Sequence, residues 1–153
     1  TLIEIGNGSS FHAAGRVEHQ DQRCALLGIV HQRHIGPPYL VLAVVGEHNP
    51  REGYACLRAY AQRTGLPQHT RNTLTTLPAL ERDLDKIRKH GYATDNEEAE
   101  LGVRCIGAAV RDDSGAMVAG LSVSAPAERM KTAWAALVKD TAAQISRAIG
   151  HRE

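Results

Sequence analysis

The sequence predicts an α+β fold, and three observations carry the prediction. Short strand-like runs open the chain, segments of helical period occupy its middle and its end, and two apolar runs flank a tight turn between those helices. Strands, then helices, then further strands predict one antiparallel sheet with helices packed on it. The chain has 153 residues, 42% hydrophobic and 23% charged, which is enough for one domain with its own core.

The elements follow in order. "TLIEIGNGSSFHAAGRVEH" reads as a hairpin: a short strand, a Gly6–Ser9 turn, then a second strand from about Phe11 to Glu18. "RCALLGIV", Arg23 to Val30, is a third strand. In "HIGPPYLVLAVVGEHNPREG" two prolines, a short apolar burst and Asn49-Pro50 predict a loop, a short buried element and a second loop. Tyr54 to Gly65 has Leu57 and Tyr60-Ala61 at helical spacing, with Gly65 as its stop. "TTLPALERDLDKIRKHGYA" is the clearest helix. Thr75 or Thr76 caps it and Pro78 fits its first turn; Leu80, Leu84 and Ile87 share a face, and Lys86, Arg88 and Lys89 suit the dipole before Gly91 ends it. "VRCIGAAV" and "AMVAGLSVS" flank Asp112-Asp113-Ser114-Gly115 and form an antiparallel pair. A last helix runs from about Pro126 to Ala148, with Trp134, Leu137, Val138, Thr141, Ile145 and Ile149 as its apolar stripe and Gly150 at its end.

Several function classes are excluded at this level. The net charge is +1, with Lys and Arg scattered, so no basic stripe marks a nucleic-acid surface on this chain. The longest apolar run, Tyr39 to Gly46, is too short to span a bilayer. No signal peptide opens the sequence, and the start at Thr1 suggests a piece of something longer. Cys24, Cys56 and Cys105 are odd in number and widely spaced, which favours a reducing compartment and gives no thiolate metal motif. His31 and His34 are three apart on a strand or loop, where that spacing turns them to opposite faces.

The hairpin register points to a site. With the turn centred on Asp113-Ser114, Cys105 opposes Ser122, Gly107 opposes Gly120 and Val103 opposes Ser124. Cys105, Gly107, Ala109, Gly120, Ser122 and Ser124 then share one face, while Ile106, Val110, Met117, Leu121 and Val123 share the other. The first face is almost entirely small, with a thiol and two hydroxyls. Either a large helix side chain fills that space or a ligand does. Asp95 begins the acidic run "DNEEAE", where it fits a capping box with Glu98 and leaves Glu97, Glu98 and Glu100 as a solvated patch. Alternatively, its carboxylate accepts from a ligand hydroxyl. Cys105 as a nucleophile requires a base, for which His69 or His90 would have to approach in space.

From "HTRNT" to "SVSAP" the chain closely resembles the effector-binding domain of the isocitrate lyase regulator (IclR) family of bacterial transcription regulators. The shared pattern is Thr70 and Thr73, Ile87-Arg88, Gly91-Tyr92, Asp95 with Glu97-Glu98, Gly102 with Cys105-Ile106, Asp113 and Gly115, then Ser122 with Ser124. Gly15 to Arg23 also resembles the family's early strands. The resemblance implies a single GAF-like or profilin-like domain covering residues 1–153, sensing a small organic acid or related metabolite through Asp95, Cys105, Ser122 and Ser124. It implies no cofactor, a homodimer or homotetramer, a cytoplasmic location, and DNA binding only through an N-terminal winged helix-turn-helix outside this chain. One stretch departs from the family. Where its members carry a segment like Leu-His-Ala-x-x-x-Gly-Lys-Ala, whose amides help to hold the ligand, this chain reads "PYLVLAVVGEHNPREG", with Ala43 and Val44 near the expected amides. Divergence between in-register flanks fits either a specialised wall or a pair of compensating reading-frame shifts in residues 36–53. Two other readings stand beside the sensor: an enzyme using Cys105, and a structural dimerisation module whose small face a helix fills.

Overall fold

A computed structural model describes residues 65–152, the backbone of three earlier strands, and helical residues 54, 55, 57–59, 61 and 62. The early strands are β1 (His12–Arg16), β2 (Leu27–His31) and β3 (Tyr39–Ala43), joined antiparallel in that order. The second expected strand, the third, and the short apolar element after Pro38 are therefore all strands. The expected strand before Gly6, its turn, Cys24, His34 and Val44 lie outside the described residues.

A second antiparallel sheet follows, with β4 (Ala93–Asn96), β5 (Val103–Arg111) and β6 (Met117–Pro126) in that order. The single expected sheet is thus two three-stranded ladders, and β1 lies alongside β6. Helix α1 (Leu77–His90) packs on one face of the second sheet, and α2 (Trp134–Ala148) on the other.

Helix α1 matches its sequence pattern closely. Leu80, Leu84 and Ile87 are its buried residues, and they join Leu57, Ala93 and Met117 in one core. Gly91 ends the helix at φ 79°, its N–H donating to Ile87 O at 2.7 Å. The start is looser than expected: Thr76 occupies the N-cap position, but its side chain makes no capping hydrogen bond. Gly65 closes the preceding helical turn as expected, at φ 72° with its N–H on Ala61 O at 2.8 Å. Arg58 ties that stretch to α1 through Glu81 at 2.7 Å, and Arg88 stacks 4.4 Å above the Tyr54 ring.

The last helix differs from expectation twice. It starts at Trp134 rather than near Pro126, because β6 continues to Pro126 and turns fill the interval. Its buried face is Ala135, Val138, Ala142 and Ser146, whereas Leu137, Ile145 and Ile149 are exposed. The reason is packing volume. The sheet face beneath already carries Ile106, Val110, Leu121 and Val123, so small helix residues are what let the two layers close. Ser146 completes the contact: its hydroxyl accepts from Arg111 N at 2.9 Å and donates to Ala142 O at 2.8 Å.

These two helices give opposite outcomes for equally apolar residues. Leu84→Ala, at a fully buried position, should cost about 2–5 kcal/mol. Leu137→Ala, at a position 65% exposed, should change the stability of one subunit by about 0.5 kcal/mol or less. Urea denaturation of the two variants checks the assignment, and equal losses would overturn it.

Candidate functional site

The hairpin that carries the expected site differs from the simple one in two ways. Asp112 pairs with Ala116, its N–H on Ala116 O at 3.0 Å, instead of with Gly115. Its carboxylate accepts from Ser114 N at 3.0 Å, Ser114 Oγ at 2.6 Å and Ala116 N at 3.1 Å, and Gly115 takes φ 81°. The loop is one residue longer as a result. A β-bulge then makes Arg111 oppose Met117 while Val110 opposes Ala119, so Val118 is the extra residue.

The expected pairs are therefore corrected. Cys105 opposes Ser124, Gly107 opposes Ser122, Ala109 opposes Gly120, and Val103 opposes Pro126. The shift is two residues, so the small face keeps its membership. Met117 alone changes sides: it lies between the loop and the bulge and joins the α1 core rather than the α2 core.

Strand β4 extends this face. Asp95 pairs with Cys105 and Ala93 with Gly107. Asp95, Cys105 and Ser124 therefore form a row across three strands, and Ala93, Gly107 and Ser122 form the next. All four residues expected at the site share one face. Cys105 is buried but belongs to neither apolar cluster, whereas Ala93 and Ala109 of the same face pack in the α1 core. Among the described residues, a hollow of about 150 Å³ opens one row further along, lined by Ala93, Gly107 and Ala109 with Ile87, Arg88 and Gly91. It does not reach the Asp95–Cys105–Ser124 row.

Cys105 is buried, and Ser124 Oγ donates to its sulfur at 3.0 Å. Burial pushes the thiol up to about 11, the Asp95 charge adds to the rise, and the Ser124 hydrogen bond opposes it. A thiol in that state is protonated at neutral pH and is a poor nucleophile. The two histidines considered as bases are placed otherwise: His90 stacks on the Tyr92 ring at 5.7 Å, and His69 is exposed.

Asp95 is 4% exposed and sits on a strand, not at the head of a helix. The capping-box contact exists without the helix: Asp95 Oδ1 accepts from Glu98 N at 2.7 Å, and bends follow. The acidic run is not simply solvated, which corrects the sequence reading. Glu97, at φ 63°, accepts from Gly102 N at 2.9 Å and from Arg104 at 3.1 Å, which lower its pKa in that order. Glu98 is half-buried; burial, then the Asp95 charge, push its carboxyl up to about 7. The threonines hold this turn from outside. Thr70 Oγ1 donates to Glu97 O at 2.7 Å and Thr73 Oγ1 to Glu98 O at 2.6 Å. Asn72 adds a bond to Asn96 O at 3.0 Å. Sequence reasoning found both threonines only as motif positions; bonds across more than twenty residues leave no local signal.

An antiparallel sheet with helices on both faces, one face carrying a patch of small and hydroxyl side chains, has the architecture of GAF-like α+β domains. The family model described as "Bacterial transcriptional regulator IclR C-terminal" matches residues 51–147, and the chain belongs to that family. A second model, a domain of unknown function (DUF8535), matches residues 3–64. The HTH-type transcriptional repressor AllR of Escherichia coli K12 is 34% identical over 155 residues, covering 97% of this chain and 55% of its own length. The chain thus spans about half the length of that curated relative. The Thermotoga maritima IclR structure is 38% identical with TM-score 0.58, covering 67% of this chain and 42% of that one. The inducer-binding domain of PobR from Acinetobacter, a double mutant in complex with 3-hydroxybenzoic acid, is 25% identical with TM-score 0.55. It covers 60% of this chain and 57% of that one. The family is one of transcriptional regulators, not of enzymes. Among the described residues, no helix is long and apolar enough to cross a membrane.

Two measurements check the electrostatics. Alkylation of Cys105 by iodoacetamide should be slow near neutral pH and accelerate only as the pH approaches about 11; fast reaction at neutral pH would overturn the buried-thiol assignment. Glu98 holds its proton to about 7 in the folded chain, against 4.5 in the unfolded one. Between those values the folded state binds more protons, so this group's contribution to stability falls as pH rises through the window. Glu98→Gln should therefore raise the melting temperature at about pH 8 and leave it nearly unchanged at about pH 4. An equal effect at both would rule out the Glu98 charge as its cause.

Proposed function

We propose that this chain is the effector-sensing and oligomerising domain of a cytoplasmic transcription regulator, binding a small organic acid on the face that carries Asp95, Cys105, Ser122 and Ser124. The single observation that supports this reading is the shared face: one carboxylate, one neutral thiol and two hydroxyls in adjacent rows, with glycine and alanine as their neighbours on that face. The roles follow from charge. A ligand carboxylate is repelled by Asp95, so it goes to the Ser122 and Ser124 end, where the Ser122 hydroxyl donates to it and the Ser124 hydroxyl does so by turning its one proton away from Cys105 Sγ. Asp95 then accepts from a hydroxyl or hydrate at the ligand's other end. Cys105, neutral and buried, lines the floor between them. The PobR neighbour, whose structure holds 3-hydroxybenzoic acid, has an acid and a hydroxyl at separate ends, the same polarity of ligand.

Residues 36–53 are where the sequence departs from the family pattern. The DUF8535 match runs through them, which favours a specialised segment over an isolated reading-frame shift. The regulatory step is a population shift: an effector that binds one arrangement of subunits better biases DNA-binding heads attached outside this chain.

Calorimetric titration with small 2-oxo acids, aldehydes and hydroxylated aromatic acids tests the proposal. At least one should bind, and Ser122→Ala combined with Ser124→Ala should weaken it at least about tenfold, the loss of two hydrogen bonds to a charged group. Unchanged affinity in the double variant would sink the site assignment.

A further inference from the structure

Helix α2 carries two apolar faces, and among the described residues only one of them is covered. Ala135, Val138, Ala142 and Ser146 turn inward, while Leu137, Ile145 and Ile149 stand 65%, 37% and 47% exposed. With Thr141 these residues recur every four positions along one side of the helix. The Thr141 hydroxyl already donates to Leu137 O at 2.8 Å, so covering the stripe strands no unpaired donor. No charged residue interrupts it. Lys139 lies against Gly91 instead, on another side of the helix.

One flank of the stripe carries Asp140 and Arg147. They are seven residues apart, about 10 Å along the axis, too far to pair with each other. Neither forms an ion pair among the described residues. We propose that this face of α2 pairs end for end with the same face of a second copy of the chain. In an antiparallel pair about a twofold axis, equal flanks meet and positions run in opposite directions. Leu137 then faces Ile149 of the second copy, Thr141 faces Ile145, and Asp140 faces Arg147, each contact occurring twice. A flank with two like charges, or with its charges at other heights, would not complement itself in this way. The proposal deepens the oligomerisation part of the reading above and rests on it.

One helix face buries less than the roughly 800 Å² per partner of a standard interface, so the association is expected to be weak and concentration-dependent. Sedimentation of the 153-residue chain reads it, with circular dichroism confirming that each variant folds. Leu137→Asp should leave a folded monomer. Asp140→Arg alone and Arg147→Asp alone should each weaken self-association about tenfold or more, because each places like charges opposite one another twice. An equimolar mixture of those two variants should associate again, since one then brings two positive charges and the other two negative. A chain that self-associates but ignores these substitutions, or single variants that do not recover on mixing, would overturn this surface and leave oligomerisation standing elsewhere. A parent chain that stays monomeric at every concentration would overturn both. Effector titration of the Leu137→Asp monomer keeps the ligand reading separate from either outcome.

Discussion

Two one-residue departures from a simple hairpin, the longer loop at Asp113–Gly115 and the bulge at Val118, cancel each other beyond Ala119. Side chains on a strand alternate, so either departure alone would exchange the two faces of β6. Ser122 and Ser124 would then point into the α2 core, and Leu121 and Val123 would point at Cys105. The Asp112 carboxylate enforces the first departure by gathering the amides of Ser114 and Ala116. Both cores depend on the cancellation, and so does the row that joins Asp95, Cys105 and Ser124. Met117 lies between the two departures and is the one residue they move, into the cluster with Leu84 and Ile87.

The acidic turn beside that row is a device for holding a buried carboxylate. A charge with 4% exposure needs hydrogen bonds to be tolerated, and Asp95 takes one from the Glu98 amide. That amide is held in place because Thr70 and Thr73 grip the carbonyls on the same turn. The cost of crowding falls on Glu98, whose carboxyl keeps its proton to about 7 beside the Asp95 charge. The same crowding bears on function. On the proposed reading, one carboxylate fixed at the β4 end leaves an acidic ligand one favourable orientation on this face.

The sheet is asymmetric, and the helices answer it. One face is bulky and receives the small residues of α2; the other is small and receives the large residues of α1 at Ala93, Ala109 and Met117. Volume complementarity of this kind is why α2 spends Ala135 and Ala142 on the core and leaves Leu137 outside. Periodicity alone ranks positions by hydrophobicity, so it found Trp134 and Val138, which pack in the α2 core, but added the exposed Leu137, Ile145 and Ile149 and missed Ala135, Ala142 and Ser146. In α1 the largest side chains are also the buried ones, and periodicity succeeded there.

Local signals in the sequence determined β1, β2, β3, β5 and β6, the existence of the two helices, the turn residues and the membership of the small face; β4 went unread, because Asp95 offers a capping signal there rather than a strand pattern. Alternation, helical period and the αL glycines Gly65, Gly91 and Gly115 are written in neighbouring residues. The motif around Asp95, Cys105, Ser122 and Ser124 determined the family. Only the tertiary structure decided which residues meet: that Cys105 faces Ser124 rather than Ser122, that Met117 belongs to α1, that α2 turns Leu137 outward, and that Thr70 reaches the acidic turn. Each of these depends on a partner many residues away, or on a count that a single inserted residue changes, and neither is visible in a window of local sequence.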